Sequence, residues 1–293
     1  MKSLVTTSHL SRQELEGLID RALRIAASGE VEGQALKGIA VATLFFEPST
    51  RTRLSFELAA TRLGGDVVSF ELAGSSAAKG ESERDTVLTV AAMGPEILVV
   101  RHSTDGFPAV VQEWTGRAVV NAGDGSREHP TQALLDAVTL VRKLGGIDGL
   151  TIAIVGDIAH SRVAGSLMNV MPRLGAQLVL AGPEPFLPRG HGFGVASDLD
   201  EVVAVADVIY LLRVQRERGA KEGEDYHRLW GLDARRAAKM RTDAVIMHPG
   251  PMNRGVEISD EAADGPRSLI LDQVANGVPT RMAVLAALAE SLS

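Results

Sequence analysis

The stretch IAVATLFFEPSTRTRLSFELAATRLGGDVVSF, residues 39–70, decides the fold. Residues 39–46 are apolar apart from Thr43, the composition of a strand buried on both faces. A helical pattern follows over 50–63, stopped by Gly64-Gly65, and DVVSF at 66–70 reads as a second strand. At the first join, within FFEPSTRTRLSFE (45–57), Ser49, Thr50, Arg51, Thr52 and Arg53 stand in one run. A solvated turn needs one or two such groups, and arginines at a helix start oppose its dipole. Ligands of open parallel sheets bind beyond the carboxyl ends of strands, where helix N-termini point free N–H groups. Hydroxyls and a planar guanidinium suit phosphate oxygens. A phosphate-sized anion is therefore expected at this join.

The same alternation extends outward. Residues 11–28 read as an amphipathic helix with a Ser11–Glu14 capping box. After residue 70 come a helix at 82–93, strand EILVV, a helix at 107–115, strand RAVVNA and a long helix at 130–144. The glycine-rich LGGIDGL (144–150) marks a boundary, after which LTIAIVG (150–156) restarts the pattern. A helix at 161–174, strand AQLVLAG, a helix near 198–205, strand DVIYLL, a helix at 233–240 and strand DAVIMH complete it, with a final helix at 273–291. The expected fold is α/β: two doubly wound parallel-sheet domains, residues 1–144 and 145–272, with an active-site cleft between them. The last helix, 273–293, is expected to pack back on the first domain.

Composition narrows the function. The 293 residues carry a net charge of −7, which argues against a basic face for nucleic acid or an anionic membrane. There is no cysteine, so disulfides, thiolate metal sites and a cysteine nucleophile are excluded. Seven histidines are scattered without ligand spacing, and no metal is expected. No apolar run approaches the ~18 residues of a membrane span, no signal peptide is evident in MKSLVTTSHL, and a cytoplasmic location is expected. IVGDIAHSRV has one glycine and does not meet a dinucleotide fingerprint.

Taken in order, FEPSTRTRLSFE, SSAAKGES, VVRH, NAGDGSREHPTQALLD, IVGDIAHSRV, LLRVQRER and MHPGPMNRGVEI resemble the aspartate and ornithine carbamoyltransferases over nearly the whole chain. The resemblance implies that Ser49, Thr50, Arg51 and Thr52 grip the phosphate of carbamoyl phosphate. Thr52, Arg101 and His129 would hold its carbonyl oxygen and Gln132 its amide. Asp136, on the helix face of His129 and Gln132, would support them from behind. Gly250 and Pro251 would contribute backbone carbonyls; relatives often carry leucine at the glycine. Ser75 and Lys79, in a small-residue loop that alone reads as flexible surface, would reach a neighbouring subunit's site. That requires a cyclic oligomer, and the family is built on trimers.

Arg162, Arg213 and Gln215 would bind the acceptor, with Lys79 contributing. Two arginines from separate strands match a dicarboxylate. The Ser-Met-Gly and His-Cys-Leu-Pro motifs of ornithine enzymes are absent, so aspartate is the expected acceptor and pyrimidine synthesis the expected setting. No cofactor is implied. A regulatory chain or another enzyme of pyrimidine synthesis remains open as a partner. The alternatives are an ornithine-type acceptor and a catalytically silent homologue that binds carbamoyl phosphate.

Overall fold

The computed structural model describes residues 1–28, 34–71, 81–214 and 223–292. Their contacts cluster into two compact units, Met1–Val138 with Ala275–Ser293, and Thr139–Val274. The chain passes between units inside its long helices at 130–144 and 270–289, ahead of the glycine-rich break in the first case.

The first unit holds a four-stranded parallel sheet. Its strands are β1 (Ala40–Phe45), β2 (Asp66–Glu71), β3 (Ile97–His102) and β4 (Ala118–Asp124), in the spatial order β2-β1-β3-β4. Around them run α1 (Arg12–Ser28), α2 (Thr50–Arg62), α3 (Glu83–Ala92), α4 (Phe107–Thr115), α5 (Pro130–Leu144) and the C-terminal part of α11 (Ile270–Ala289). Ala42, Leu44, Leu98, Val100 and Val119 bury one sheet face against Val87, Val90, Phe107 and Val111 of α3 and α4. Strand alternation turns Val41, Ile97 and Val99, all buried, to the other face. The expected capping box forms in both directions: Ser11 N–H donates to Glu14 Oε2 at 2.8 Å, and Glu14 N–H to Ser11 Oγ at 3.2 Å.

A segment without a strand pattern completes this sheet. Leu4 bridges Val120 in parallel on the outer side of β4, its N–H donating to the Val119 carbonyl at 2.8 Å.

The second unit holds a five-stranded parallel sheet of β5 (Thr151–Val155), β6 (Gln177–Ala181), β7 (Gly194–Ala196), β8 (Val208–Leu211) and β9 (Val245–Met247), ordered β7-β6-β5-β8-β9. Its helices are α6 (Arg162–Arg173), α7 (Leu199–Val203), α8 (Gly223–Trp230), α9 (Ala234–Lys239) and α10 (Asp260–Ala263). Ala153, Val155, Ile209, Leu211 and Ile246 pack with Leu199, Val202, Val203 and Ala263 in one buried cluster. The strand β7 and the helices α8 and α10 lie outside the sequence expectation, being short or lacking an apolar run.

Gly156 ends β5 with φ +125°. A Cβ there would stand 3.1 Å from the Leu212 carbonyl and 3.3 Å from the Tyr226 hydroxyl. The backbone conformation favours glycine, and any Cβ would also be crowded. Gly156→Ala is expected to destabilise the fold by about 2–4 kcal/mol. A lowered urea midpoint checks this, and an unchanged midpoint removes the constraint.

Candidate active site

In each sheet the strand order reverses at one gap, between β1 and β3 in the first and between β5 and β8 in the second. Crossovers leave such a gap on opposite faces, so a crevice opens beyond the carboxyl ends of the two strands. The described residues expected to bind ligand fall at these places or beside them.

In the first unit, α2 begins directly beyond β1. Six helices, α1, α3, α6, α7, α9 and α10, start on a serine or aspartate whose side chain accepts a first-turn N–H. Ser49 occupies the same position of α2 and makes no such bond, and the first turn holds no acidic residue. Its hydroxyl and the leading amides stay available to a ligand. Arg51 is exposed and makes no ion pair with a described residue, although surrounding protein lowers its pKa by desolvation. Arg53 is committed elsewhere, 3.8 Å from Glu57, which also accepts from Ser69 at 2.6 Å. Thr50 is exposed at the helix start; Thr52, two residues on within the first turn, is 8% exposed.

Arg101 stands at the end of β3, paired in register with Phe45 of β1. Its Nε lies 3.5 Å from Glu47 Oε2 and its Nη1 donates to the Ala122 carbonyl of β4 at 3.2 Å. The guanidinium is thus held between the loop that follows β1 and strand β4. His129, buried, immediately precedes α5. Gln132 Nε2 donates to Asp136 Oδ1 at 3.0 Å. A carboxylate only accepts, so the Gln132 amide nitrogen must face it and its oxygen is left to accept from a ligand N–H.

Arg281 of α11 belongs to this group and escaped sequence reasoning. It is buried, donates to Ser55 Oγ at 3.0 Å and lies 5.0 Å above the Phe56 ring. Burial pushes its pKa down to about 10, with Arg101 adding to the fall and Asp136 opposing it. The available signal was one arginine inside the apolar run VPTRMAVLAALA.

In the second unit, Arg162 opens α6 beyond β5, and Ser161 caps that helix by accepting from Ala164 N–H at 3.2 Å. Arg213, half-buried, follows β8. Beyond β9, His248 organises the HPGP turn. Its Nδ1 accepts from Gly250 N–H at 2.8 Å, which leaves Nε2 as the donor toward buried Glu257 Oε1 at 3.3 Å. Its own N–H donates to Gln273 Oε1 at 2.9 Å. Asn253 Nδ2 donates to the Val214 carbonyl at 3.1 Å, tying the turn to the chain after Arg213. Gly250 has φ +64° and joins Pro251 through a cis peptide. Ser75, Lys79 and Gln215 lie outside the described residues. Among the described residues no cluster of three or more His, Cys, Asp or Glu could hold a metal, and no helix is long and apolar enough to cross a membrane.

Two parallel α/β units, each gathering cationic side chains where its strand order reverses, define a protein for small anions. Residues 2–142 match the carbamoyl-P binding domain of aspartate/ornithine carbamoyltransferase and residues 148–288 its Asp/Orn binding domain. The aspartate carbamoyltransferase catalytic subunit of Salinispora tropica is 48% identical, with 97% of each chain covered. That of Anaeromyxobacter is 47% identical over 98% of this chain and 95% of its own. Among solved structures, Trypanosoma cruzi aspartate transcarbamoylase in complex with carbamoyl aspartate and phosphate superimposes with TM-score 0.90 at 33% identity, covering 98% of this chain and 95% of that one. The catalytic subunit of M. Jannaschii aspartate transcarbamoylase gives 0.88 at 34% identity with 99% of both chains covered. The chain belongs to the aspartate/ornithine carbamoyltransferase family.

Asp136→Asn removes the carboxylate that offsets the buried Arg281 charge. A loss of about 1–3 kcal/mol is expected, read as a lower urea midpoint at unchanged m. Parent-like stability would show that Arg281 does not depend on Asp136.

Proposed function

We propose that the chain transfers the carbamoyl group of carbamoyl phosphate to the α-amine of L-aspartate, giving N-carbamoyl-L-aspartate and phosphate. One observation carries the reading. Thr52, Arg101 and His129 follow or end successive strands of the first sheet, in a chain similar over nearly its full length to aspartate carbamoyltransferase catalytic subunits. Two arginines at the second sheet's reversal favour a dicarboxylate over a cationic amino acid such as ornithine.

In this reading, Ser49, Thr50, Arg51 and Thr52 hold the phosphate. Thr52, Arg101 and His129 donate toward the carbonyl oxygen, where negative charge grows as the carbon becomes tetrahedral. The Gln132 oxygen accepts from the carbamoyl NH2, and the Gly250 and Pro251 carbonyls accept further N–H groups. Arg162, Arg213 and Gln215 orient the two carboxylates of aspartate. The amine nitrogen attacks the carbonyl carbon, the bond from that carbon to the phosphate oxygen breaks, and the departing phosphate takes the amine proton. Catalysis comes from bringing two anions into one geometry and from donors fixed in advance. No cofactor takes part.

The working unit is a cytoplasmic homotrimer in which Ser75 and Lys79 enter a neighbouring subunit's site. Leu54 and Leu58 of α2 support an interface, each 48% exposed one turn apart beside the edge strand β2, whose Val68 is exposed too. A regulatory chain or another enzyme of pyrimidine synthesis would join such a trimer.

The test is product formation from carbamoyl phosphate with aspartate and, separately, with ornithine. Carbamoyl-aspartate alone is expected. Product with ornithine only reverses the acceptor, and no product with either, despite measurable binding of carbamoyl phosphate, marks a silent homologue. Arg51→Ala should lose about 10²–10³ in kcat with the fold retained. Mixing inactive Arg51→Ala and Lys79→Ala chains should recover activity, and none after verified subunit exchange removes Lys79 from the neighbour's site.

A further inference from the structure

Glu128 is 3% exposed, ionisable and directly precedes His129, yet no step of the reaction uses it. Its carboxylate is held by residues more than a hundred positions away. Thr6 Oγ1 donates to Oε1, while Oε2 accepts from Thr7 N–H at 2.7 Å and from Thr7 Oγ1 at 2.5 Å. Thr6 and Thr7 are themselves buried. Among the described residues no cation pairs with Glu128. A buried carboxylate held by neutral donors alone is a costly way to fill space, since an apolar side chain would do that without desolvation.

The rest of the loop shows what the carboxylate fixes. The Glu128 N–H donates to Asp124 Oδ1 at 3.0 Å, and its carbonyl accepts from Asp124 N–H at 3.0 Å. Asp124 in turn accepts from Asn121 Nδ2 at 2.9 Å and from Gly106 N–H at 2.6 Å. Asn121 Nδ2 also donates to the Val5 carbonyl at 3.1 Å. The loop 124–128 is therefore clamped by Asp124 to the sheet and by Glu128 to residues 6 and 7. His129 is the next residue, and Pro130 starts α5.

We propose that Glu128, anchored by Thr6 and Thr7, is a positioning residue that sets the His129 imidazole for its work on the carbonyl oxygen. This rests on the reading of His129 given above. The anchor is geometric: two oxygens take three donors on a separate segment, so the Glu128 side chain cannot rotate without stranding the Thr7 N–H. Glutamine fills the same space and can still accept from Thr7 with one oxygen while its NH2 turns to the Thr6 hydroxyl. Alanine leaves the Thr7 N–H and two hydroxyls buried without their acceptor.

The test compares Glu128→Ala, Thr7→Val and Glu128→Gln in the full chain, well below the unfolding temperature. Glu128→Ala and Thr7→Val should lower kcat by about 10- to 100-fold, the scale of a sub-ångström to 1 Å displacement of a reacting group. KM for aspartate should change by less than about threefold, and Glu128→Gln should recover most of the lost kcat. Parent-like kcat in folded Thr7→Val, or equal rises of both KM values with kcat unchanged, overturns the proposal and leaves Glu128 a structural anchor. A second readout needs no activity. The 15N signals of the His129 ring, assigned by their loss in His129→Ala, should shift or broaden in Thr7→Val and Glu128→Ala and return toward the parent in Glu128→Gln. Unchanged ring signals overturn the proposal, even where Glu128→Ala fails to fold and Thr7→Val alone is measured. A parent chain that makes no carbamoyl-aspartate would sink the functional reading instead, and the ring signals would still decide whether Glu128 fixes His129.

Discussion

The parallel sheet, laid down from its middle outward, is the constraint from which the rest follows. Once β1 has been followed by β2 on one side and β3 on the other, the helices that cross over must leave opposite faces. The gap beyond β1 and β3 is then the one place where backbone amides and strand-end side chains converge without covering one another. Ser49 through Thr52 and Arg101 occupy that gap in the first sheet; Arg162 and Arg213 occupy its counterpart in the second. Helix α2 supplies amides there because its first turn lacks both an acidic residue and a side-chain cap. At α1, α3, α6, α7, α9 and α10 a serine or aspartate side chain closes that end.

Around the gap, arginine is held by oxygen. Arg101 is steered by Glu47 and the Ala122 carbonyl, and Arg281 by Ser55 and the field of Asp136. Burying a guanidinium raises the worth of each such interaction and the cost of losing one. Gln132 shares Asp136 with that field, so one carboxylate both fixes an amide's orientation and tempers a buried cation. Arg101 lowers the tolerance of buried Arg281 for its charge, which suits the region to an anion.

What the sequence made legible was local. The strand at 40–45, the helix at 50–62 and the long helix at 130–144 follow from apolar runs, the Gly64-Gly65 stop and Pro130 at a first helical position. The run of hydroxyls and arginines at 49–53 was legible as chemistry, although Arg53 proved to belong to Glu57. The strand β7 was hidden because GFGVAS has too few apolar residues to form a run, and α8 follows residues of mixed charge with no stop signal. Arg281 and Glu128 were hidden for another reason. Each acquires its setting from partners distant in the chain, Ser55 in one case and Thr6 with Thr7 in the other, and no spacing rule links such positions.

The bridge from Leu4 to Val120 has a consequence for self-association. A bare outer strand is a template on which another chain can lay a further one. Covering β4 on that flank withdraws part of its row of amides and carbonyls from recruitment, and β2 remains the sheet's other border. Accretion of further strands onto this sheet is thereby discouraged on one side by a segment around Leu4 that carries no secondary-structure signal of its own.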